Sequence, residues 1–133
     1  MSQENVEIVK RGIDAYNRRD FDAYIALTTS DFELFPAMDR TVEARSYWGH
    51  EGIETYLADI GEAWAELRLL PEEWRDLGGR VLMPGRAQGR GRGSSVPVDA
   101  HVGFLVDFRD GKMSRVLAFL DHGEALRAAG LSE

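Results

Sequence analysis

The chain has 133 residues, which suits one domain with a substantial core, and we expect a single domain over residues 1–133. Its content of 44% hydrophobic and 29% charged residues excludes a disordered chain, and its formal net charge of −7 argues against binding to nucleic acid or to anionic membranes. The sequence contains no cysteine, which excludes disulfides, thiol catalysis and cysteine-ligated zinc. Since it shows neither a signal peptide nor an apolar run of membrane-spanning length, we expect a cytoplasmic protein.

The first half of the chain has apolar residues at helical spacing. Intervals of three and four predict a first helix that ends at Arg18-Arg19, where cations favour the carbonyl end of a helix. Asp20 is then expected to cap a short second helix, and a third helix is predicted over residues 49–66. The apolar faces consist of Val6, Val9, Ile13 and Tyr16 in the first helix, Phe21, Tyr24, Ile25 and Thr28 in the second, and Ile53, Tyr56, Leu57, Ile60 and Trp64 in the third.

Strands are predicted mainly in the second half. A short strand is expected over residues 31–37, followed by a surface loop over 38–48. After residue 66 the hydrophobic period changes to two, which predicts four antiparallel strands joined by hairpins. These strands occupy residues 66–77, 80–90, 96–109 and 113–121, and a last helix is predicted over 124–129. The separation of helices from strands indicates an α+β fold in which the helices cover one face of a curved antiparallel sheet.

The order of the elements and five local segments resemble those of the SnoaL-like branch of the nuclear transport factor 2-like superfamily. The segments are YNRRDFDAYIAL at 16–27, GHEGIETYL at 49–57, GRGRGSSVPVDA at 89–100, RDGKMSRV at 109–116 and AFLDHGEALRAAGL at 118–131. The resemblance implies a cone-shaped α+β barrel, in which helices and a strongly curved antiparallel sheet enclose a pocket. The superfamily includes ketosteroid isomerase, polyketide cyclases, limonene-epoxide hydrolase, dehydratases and non-catalytic binding modules. The resemblance therefore implies that the pocket binds a small, largely apolar ligand, and no cofactor is expected.

Comparison with ketosteroid isomerase tests one possible chemistry. That enzyme combines a base aspartate with a tyrosine and a protonated aspartate that stabilise an oxyanion. An ungapped alignment on the turn at residues 19–20 places the tyrosine at Gly12, the base at Phe35 and the second aspartate near Phe104. None of these residues can transfer a proton, so isomerase chemistry by that mechanism is not expected.

Limonene-epoxide hydrolase provides a second comparison, since it uses two aspartates and an arginine to hold a water against an epoxide. The candidates here are Arg86, Asp99 or Asp107, and Asp121. Strand alternation places Asp99 and Asp107 on the face opposite Phe104, away from a cavity that Phe104 lines. The set of two aspartates and one arginine that the hydrolase uses is therefore incomplete here.

The polyketide cyclases of this branch use an acidic residue and a histidine-rich pocket, which makes Asp121 and His122 the candidate catalytic pair. Neighbouring strand residues face opposite ways, so both can enter a pocket only if the strand ends between them. The alternative is that one of them caps the last helix. His50 and His101 lie on other elements, and this spacing predicts no metal site.

Aromatic residues on the predicted apolar faces are candidates for the pocket wall, with core packing as the alternative. The wall is predicted to contain Tyr16, Tyr56, Trp64 and Trp74 together with Phe104 and Leu120 from the sheet. Arg86 is the arginine expected to approach the cavity. Its alternative role is an ion pair with Glu72 or Glu73.

Two classes of function remain open. The first is a protein that binds a small apolar molecule, extending to a cofactor-independent enzyme of the cyclase, isomerase or hydrolase kind. The second is a non-catalytic dimeric module whose cavity is filled by its own side chains. Because the last predicted strand is apolar on both faces, we expect a homodimer that covers the outer face of the sheet.

Overall fold

The computed structural model describes residues 2–36 and 46–131 of the chain. Four helices and seven strands lie in these ranges, and none of these helices is both long and apolar enough to cross a membrane. In chain order they are α1 (Ser2–Arg18), α2 (Phe21–Ile25), β1 (Thr28–Phe35), β2 (Tyr47–Trp48), α3 (Gly49–Ala63), β3 (Trp64–Pro71), β4 (Arg75–Asp76), β5 (Arg80–Gly91), β6 (Pro97–Arg109), β7 (Lys112–Phe119) and α4 (His122–Ala128).

These strands form one strongly curled sheet, a half-barrel with the order β2-β1-β7-β6-β5-β3, and β4 also pairs with β5. Neighbouring strands are antiparallel except β1 and β7, which run parallel, with Leu34 opposite Val116. The predicted α+β class is confirmed. The sheet is mixed rather than wholly antiparallel. The long connection between β1 and β7, which are not joined by a hairpin, permits their parallel pairing.

The concave face of the sheet carries the main core. Along β6, side chains at even positions point to this face, among them Val102, Phe104 and Val106. Helices α1 and α3 pack over it and bury Val9 and Ile53. Burial of one such large apolar side chain contributes about 1.5–3 kcal/mol. This packing positions the two helices over the sheet.

The convex face is partly covered by α4. Leu82 of β5, Leu105 of β6 and Phe119 of β7 form a second buried cluster with Ala125 of α4. The sequence predicts that the helices cover one face only, and the structure differs because the last helix folds back over the outer side. Leu105, which strand alternation places on the face opposite Phe104, is only 1% exposed.

Several element boundaries differ from the predictions. Strand β1 begins at Thr28 rather than at residue 31, and the predicted strand over 66–77 is divided into β3 and β4. Helix α3 ends at Ala63 rather than at residue 66, because Trp64 has extended backbone angles (φ −122°, ψ 127°) and begins β3. Strand β2 pairs with β1 where the sequence predicts a loop. The part of that predicted loop over residues 38–45 lies outside the described residues.

Polar contacts fix the C-terminal end of α1. The Asn17 side-chain amide donates to the Leu69 carbonyl at 2.9 Å, and the Leu69 N–H donates to Asn17 Oδ1 at 2.8 Å. Asp20 caps α2 as predicted, since its carboxylate accepts from the Ala23 N–H at 3.2 Å. These bonds attach α1 to the edge strand β3 and set the start of α2.

The close approach of α4 to β6 requires a residue without a side chain at position 103. A Cβ atom on Gly103 would lie 2.9 Å from the Ala125 Cβ. We expect Gly103→Ala to lower the free energy of unfolding by about 1–3 kcal/mol, because α4 must shift to relieve the overlap. Urea unfolding followed by circular dichroism measures this change.

Gly61→Ala is the matched control for this variant. A Cβ at this position in α3 meets nothing within 4 Å. Alanine is the better helix former, so this change should raise the free energy of unfolding by up to about 1 kcal/mol. Equal stability of Gly103→Ala and the wild type would contradict the observed contact between α4 and β6.

Candidate functional site

A cavity of about 490 Å³ lies between the concave face of the sheet and the helices α1, α2 and α3. This volume is within the range of roughly 300–1,000 Å³ found for small-molecule sites. Strand β6 contributes every second residue to the wall. These residues are Val98, Ala100, Val102, Phe104 and Val106. The exposed side chains of Val98 and Leu120 mark the solvent side of the cavity.

Polar groups in this otherwise apolar wall come mainly from tyrosines. Tyr16 of α1 and Tyr56 of α3 form a side-chain hydrogen bond. Tyr47 donates to the Asp59 carboxylate at 3.2 Å, and its ring meets that of Tyr56 at a centroid distance of 5.2 Å. The cavity therefore has hydroxyl groups on one side, where α1, β2 and α3 meet.

The cavity tyrosines are held in their neutral form. Burial raises the pKa of Tyr16, Tyr24 and Tyr56 above the ordinary value of 10.0. The hydrogen bond between Tyr16 and Tyr56 lowers the pKa of Tyr16 and raises that of Tyr56, which is the pattern expected when Tyr56 donates to the Tyr16 oxygen. The nearby charge of Arg19 also lowers the pKa of Tyr16. At neutral pH these side chains can donate hydrogen bonds to a ligand.

Comparison with known proteins places this chain in a family. Residues 9–116 match the family described as SnoaL-like domain. The chain belongs to the SnoaL-like family. A search of curated protein sequences found no match for this SnoaL-like protein.

Solved structures share the same fold. A nuclear transport factor 2-like protein from Burkholderia xenovorans is 27% identical, with a TM-score of 0.75, and the match covers 100% of this chain and 98% of that one. A candidate SnoaL-like polyketide cyclase from Jannaschia is 21% identical, with a TM-score of 0.78 and coverage of 96% and 92%. A protein from Catenulispora acidiphila with a ketosteroid isomerase-like fold, solved in complex with trimethylamine, is 17% identical, with a TM-score of 0.76 and coverage of 94% and 93%.

Of the residues that the sequence assigns to the pocket wall, five lie at the cavity of this SnoaL-like protein. They are Tyr16, Tyr56, Trp64, Phe104 and Leu120. Helical spacing on α1 and α3 directs Tyr16 and Tyr56 toward the concave face, and the alternation along β6 places Phe104 on that face. Trp64 reaches the cavity from the first position of β3 rather than from the predicted helix.

Trp74 and Arg86, the other two predicted wall residues, have different surroundings. Trp74 packs at the edge of the main core, with the Lys10 ammonium 5.5 Å from its ring centroid. Arg86 points to the convex face, where its Nε donates to Asp99 at 2.8 Å. Register explains this orientation, because Arg86 is opposite His101 on β6 and therefore shares its outward face.

The candidate catalytic residues Asp121 and His122 are engaged at the start of α4. The Asp121 carboxylate accepts from the Gly123 N–H at 2.8 Å and caps the helix, as the alternative interpretation predicts. His122 Nε2 lies 3.0 Å from the Gly85 carbonyl oxygen and 2.9 Å from that of Val102. Both partners are acceptors, so this nitrogen carries a proton. Neither side chain belongs to the cavity wall formed by the described residues.

Sequence reasoning did not select Tyr24, Tyr47 and Asp59 as wall residues, although all three lie at the cavity. Tyr24 is part of the predicted apolar face of α2, and this position could have identified it as a wall residue. Asp59 is one of several acidic residues on α3, and no pattern distinguishes it. In the part of the chain that the structure describes, no group of three or more histidine, aspartate or glutamate side chains is arranged to hold a metal ion.

Raised tyrosine pKa values predict a loss of stability in alkali. Above pH of about 10 the unfolded chain releases tyrosine protons that the folded SnoaL-like protein retains, so the free energy of unfolding falls as pH rises. Below that pH the contribution is fully present. Tyr24→Phe should flatten the decline by up to about 1.4 kcal/mol per pH unit. Urea unfolding between pH of about 9 and 12 measures both slopes, and identical slopes would contradict the prediction.

Proposed function

We propose that this SnoaL-like protein binds a small, largely apolar organic molecule in the concave cavity. The observation that carries the proposal is the cavity of about 490 Å³ with its apolar rows from β6 and the helices. Transfer of apolar ligand surface from water to such a wall is favourable by roughly 25 cal/mol per Å². The few hydroxyl groups on one side can orient a ligand without the cost of burying a charge.

Tyr16 is the side chain that we assign to contact a polar atom of the ligand. With Tyr56 as the donor to the Tyr16 oxygen, the Tyr16 proton is left to donate to an oxygen of the ligand. A chain of hydroxyl groups of this kind strengthens its terminal donor. The ligand is therefore expected to carry a carbonyl or hydroxyl oxygen at the end that approaches α1.

Similar structures support a small organic molecule as the occupant. The protein from Catenulispora acidiphila was solved with trimethylamine, and the protein from Jannaschia is described as a candidate polyketide cyclase. A cyclase, isomerase or hydrolase reaction would need two ionisable groups that converge on the ligand. Asp59 is the carboxylate among the described wall residues, and it is exposed. Binding is therefore the function that the geometry supports best, and a non-catalytic module that binds nothing is the competing hypothesis.

Isothermal titration calorimetry with 2-naphthamide, a flat apolar molecule with an amide oxygen, tests this proposal. We expect saturable binding at one site. Ala100→Phe places a ring in the cavity and should weaken binding by about tenfold or more, because the ligand and the new side chain compete for one space. Tyr16→Phe removes one neutral hydrogen bond and should weaken binding by about two- to tenfold.

His101→Phe is the control for the cavity-filling variant. It places a phenyl ring in place of the imidazole on the neighbouring residue of β6, whose exposed side chain lies on the opposite face of the sheet. This variant should bind 2-naphthamide as the wild type does. Equal weakening by Ala100→Phe and His101→Phe, or no binding by the wild type, would overturn the proposed site.

We also propose that a second copy of the chain covers the exposed part of the convex face. Helix α4 covers only the region around Leu105, and beyond it the face carries ion pairs between Arg86 and Asp99 and between Arg90 and Glu66. Alternating charges of this kind are complementary to a second copy related by a two-fold axis. The homodimer predicted from the sequence would then use polar rather than apolar contacts.

The mass in solution tests this interface. Light scattering should give the mass of a dimer for the wild type and of a monomer for Arg86→Glu, which places like charges together at the interface. Arg18→Glu reverses an exposed arginine at the end of α1 and should leave the dimer intact. A monomeric wild type, or loss of the dimer in both variants, would rule out this surface.

A further inference from the structure

Asp59 is the one charged residue among the described residues that line the cavity. It lies on the side of α3 that faces the cavity, between Tyr56 and Ala63, which also belong to the wall. Glu54 and Glu62 of the same helix are exposed and lie outside the described wall. A carboxylate in an otherwise apolar wall departs from the pattern of its neighbours, and natural proteins make such exceptions mainly at functional sites.

The Asp59 carboxylate is oriented by a hydrogen bond but has no counter-charge. The Tyr47 hydroxyl donates to Asp59 Oδ2 at 3.2 Å, and the Tyr47 ring lines the cavity and contacts that of Tyr56. In the part of the chain that the structure describes, no cation forms an ion pair with Asp59, whereas Asp99 and Asp107 each pair with an arginine. The negative charge at the cavity is therefore left uncompensated by these residues.

The surroundings of Asp59 favour a cation over an anion. A carboxylate only accepts hydrogen bonds, and bonds from a charged donor are about twice as strong as those between neutral groups. The rings of Tyr47, Tyr56 and Trp64 line the same cavity, and the faces of such rings attract cations. The formal net charge of −7 also raises the concentration of cations near the protein and repels anions.

We infer that the ligand of the cavity is an amine, whose ammonium group donates hydrogen bonds to Asp59 and whose apolar body contacts the wall. This inference rests on the proposed function and adds the charge of the ligand to it. The polar atoms of such a ligand meet two helices, an oxygen at Tyr16 of α1 and the nitrogen at Asp59 of α3. Because Asp59 is exposed, the ammonium group keeps part of its hydration, which limits the cost of desolvation.

Two ligands of nearly the same shape and different charge test this inference. At neutral pH 2-naphthylmethylamine is a cation, whereas 2-naphthylmethanol carries a neutral hydroxyl in place of the ammonium group. In calorimetric titrations we expect the wild type to bind the amine about three- to tenfold more tightly, as for a partly solvated ion pair. Asp59→Asn keeps an oxygen for the Tyr47 hydroxyl. It should weaken binding of the amine by about three- to tenfold and leave that of the alcohol within about twofold.

Glu62→Gln is the matched control for Asp59→Asn. It removes the same charge from the same helix, at an exposed position outside the described wall, and should preserve the preference for the amine. Three results would overturn the inference alone: no preference for the amine in a wild type that binds 2-naphthamide, a preference that persists in Asp59→Asn, or equal losses in the two variants. Absence of binding by the amine, the alcohol and 2-naphthamide would overturn the proposed function together with it.

Discussion

The alternation of side chains along β6 determines which helices cover each face of the sheet. Val102, Phe104 and Val106 point to the concave face, so that this face must be covered by α1 and α3. The residues between them point outward, where Leu105 requires the cover of α4. A shift of the register by one residue would exchange the two sets, placing Asp107 in the core and an apolar row in solvent. The cavity and the packing of α1, α3 and α4 thus follow from the alternation of side chains along β6.

The sequence predicted the parts of the fold that have a local cause. The alternation in β6, the helical spacing in α1 and the cap at Asp20 each depend on a few neighbouring residues. Each could therefore be recognised in the sequence. The parallel pairing of β1 with β7 and the return of α4 over the convex face depend on contacts between distant segments. No short pattern encodes such contacts, so the mixed sheet and the covered outer face could not be predicted.

The candidate site divides in the same way. Tyr16 and Tyr56 were identifiable because each lies on the apolar face of a long helix. Arg86 was expected at the cavity from its place along the predicted strand. Its position opposite His101 turns its side chain outward, and that register is a property of the paired strands. The sequence left two roles open for Asp121 and His122, a catalytic pair or a helix cap. The hydrogen bond from the Gly123 N–H to Asp121 depends on three-dimensional positions that the sequence pattern does not give.

The bonds between Asn17 and Leu69 have a consequence for self-association. A side-chain amide offers one donor and one acceptor, the same pair that a peptide group offers in a neighbouring strand. By engaging both the N–H and the carbonyl of Leu69, Asn17 occupies the position that a foreign strand would take beside β3. Exposed strand edges are templates for aggregation, and natural proteins block them by such devices. The helix that forms part of the cavity wall thus also keeps the sheet from growing by addition of strands at this edge.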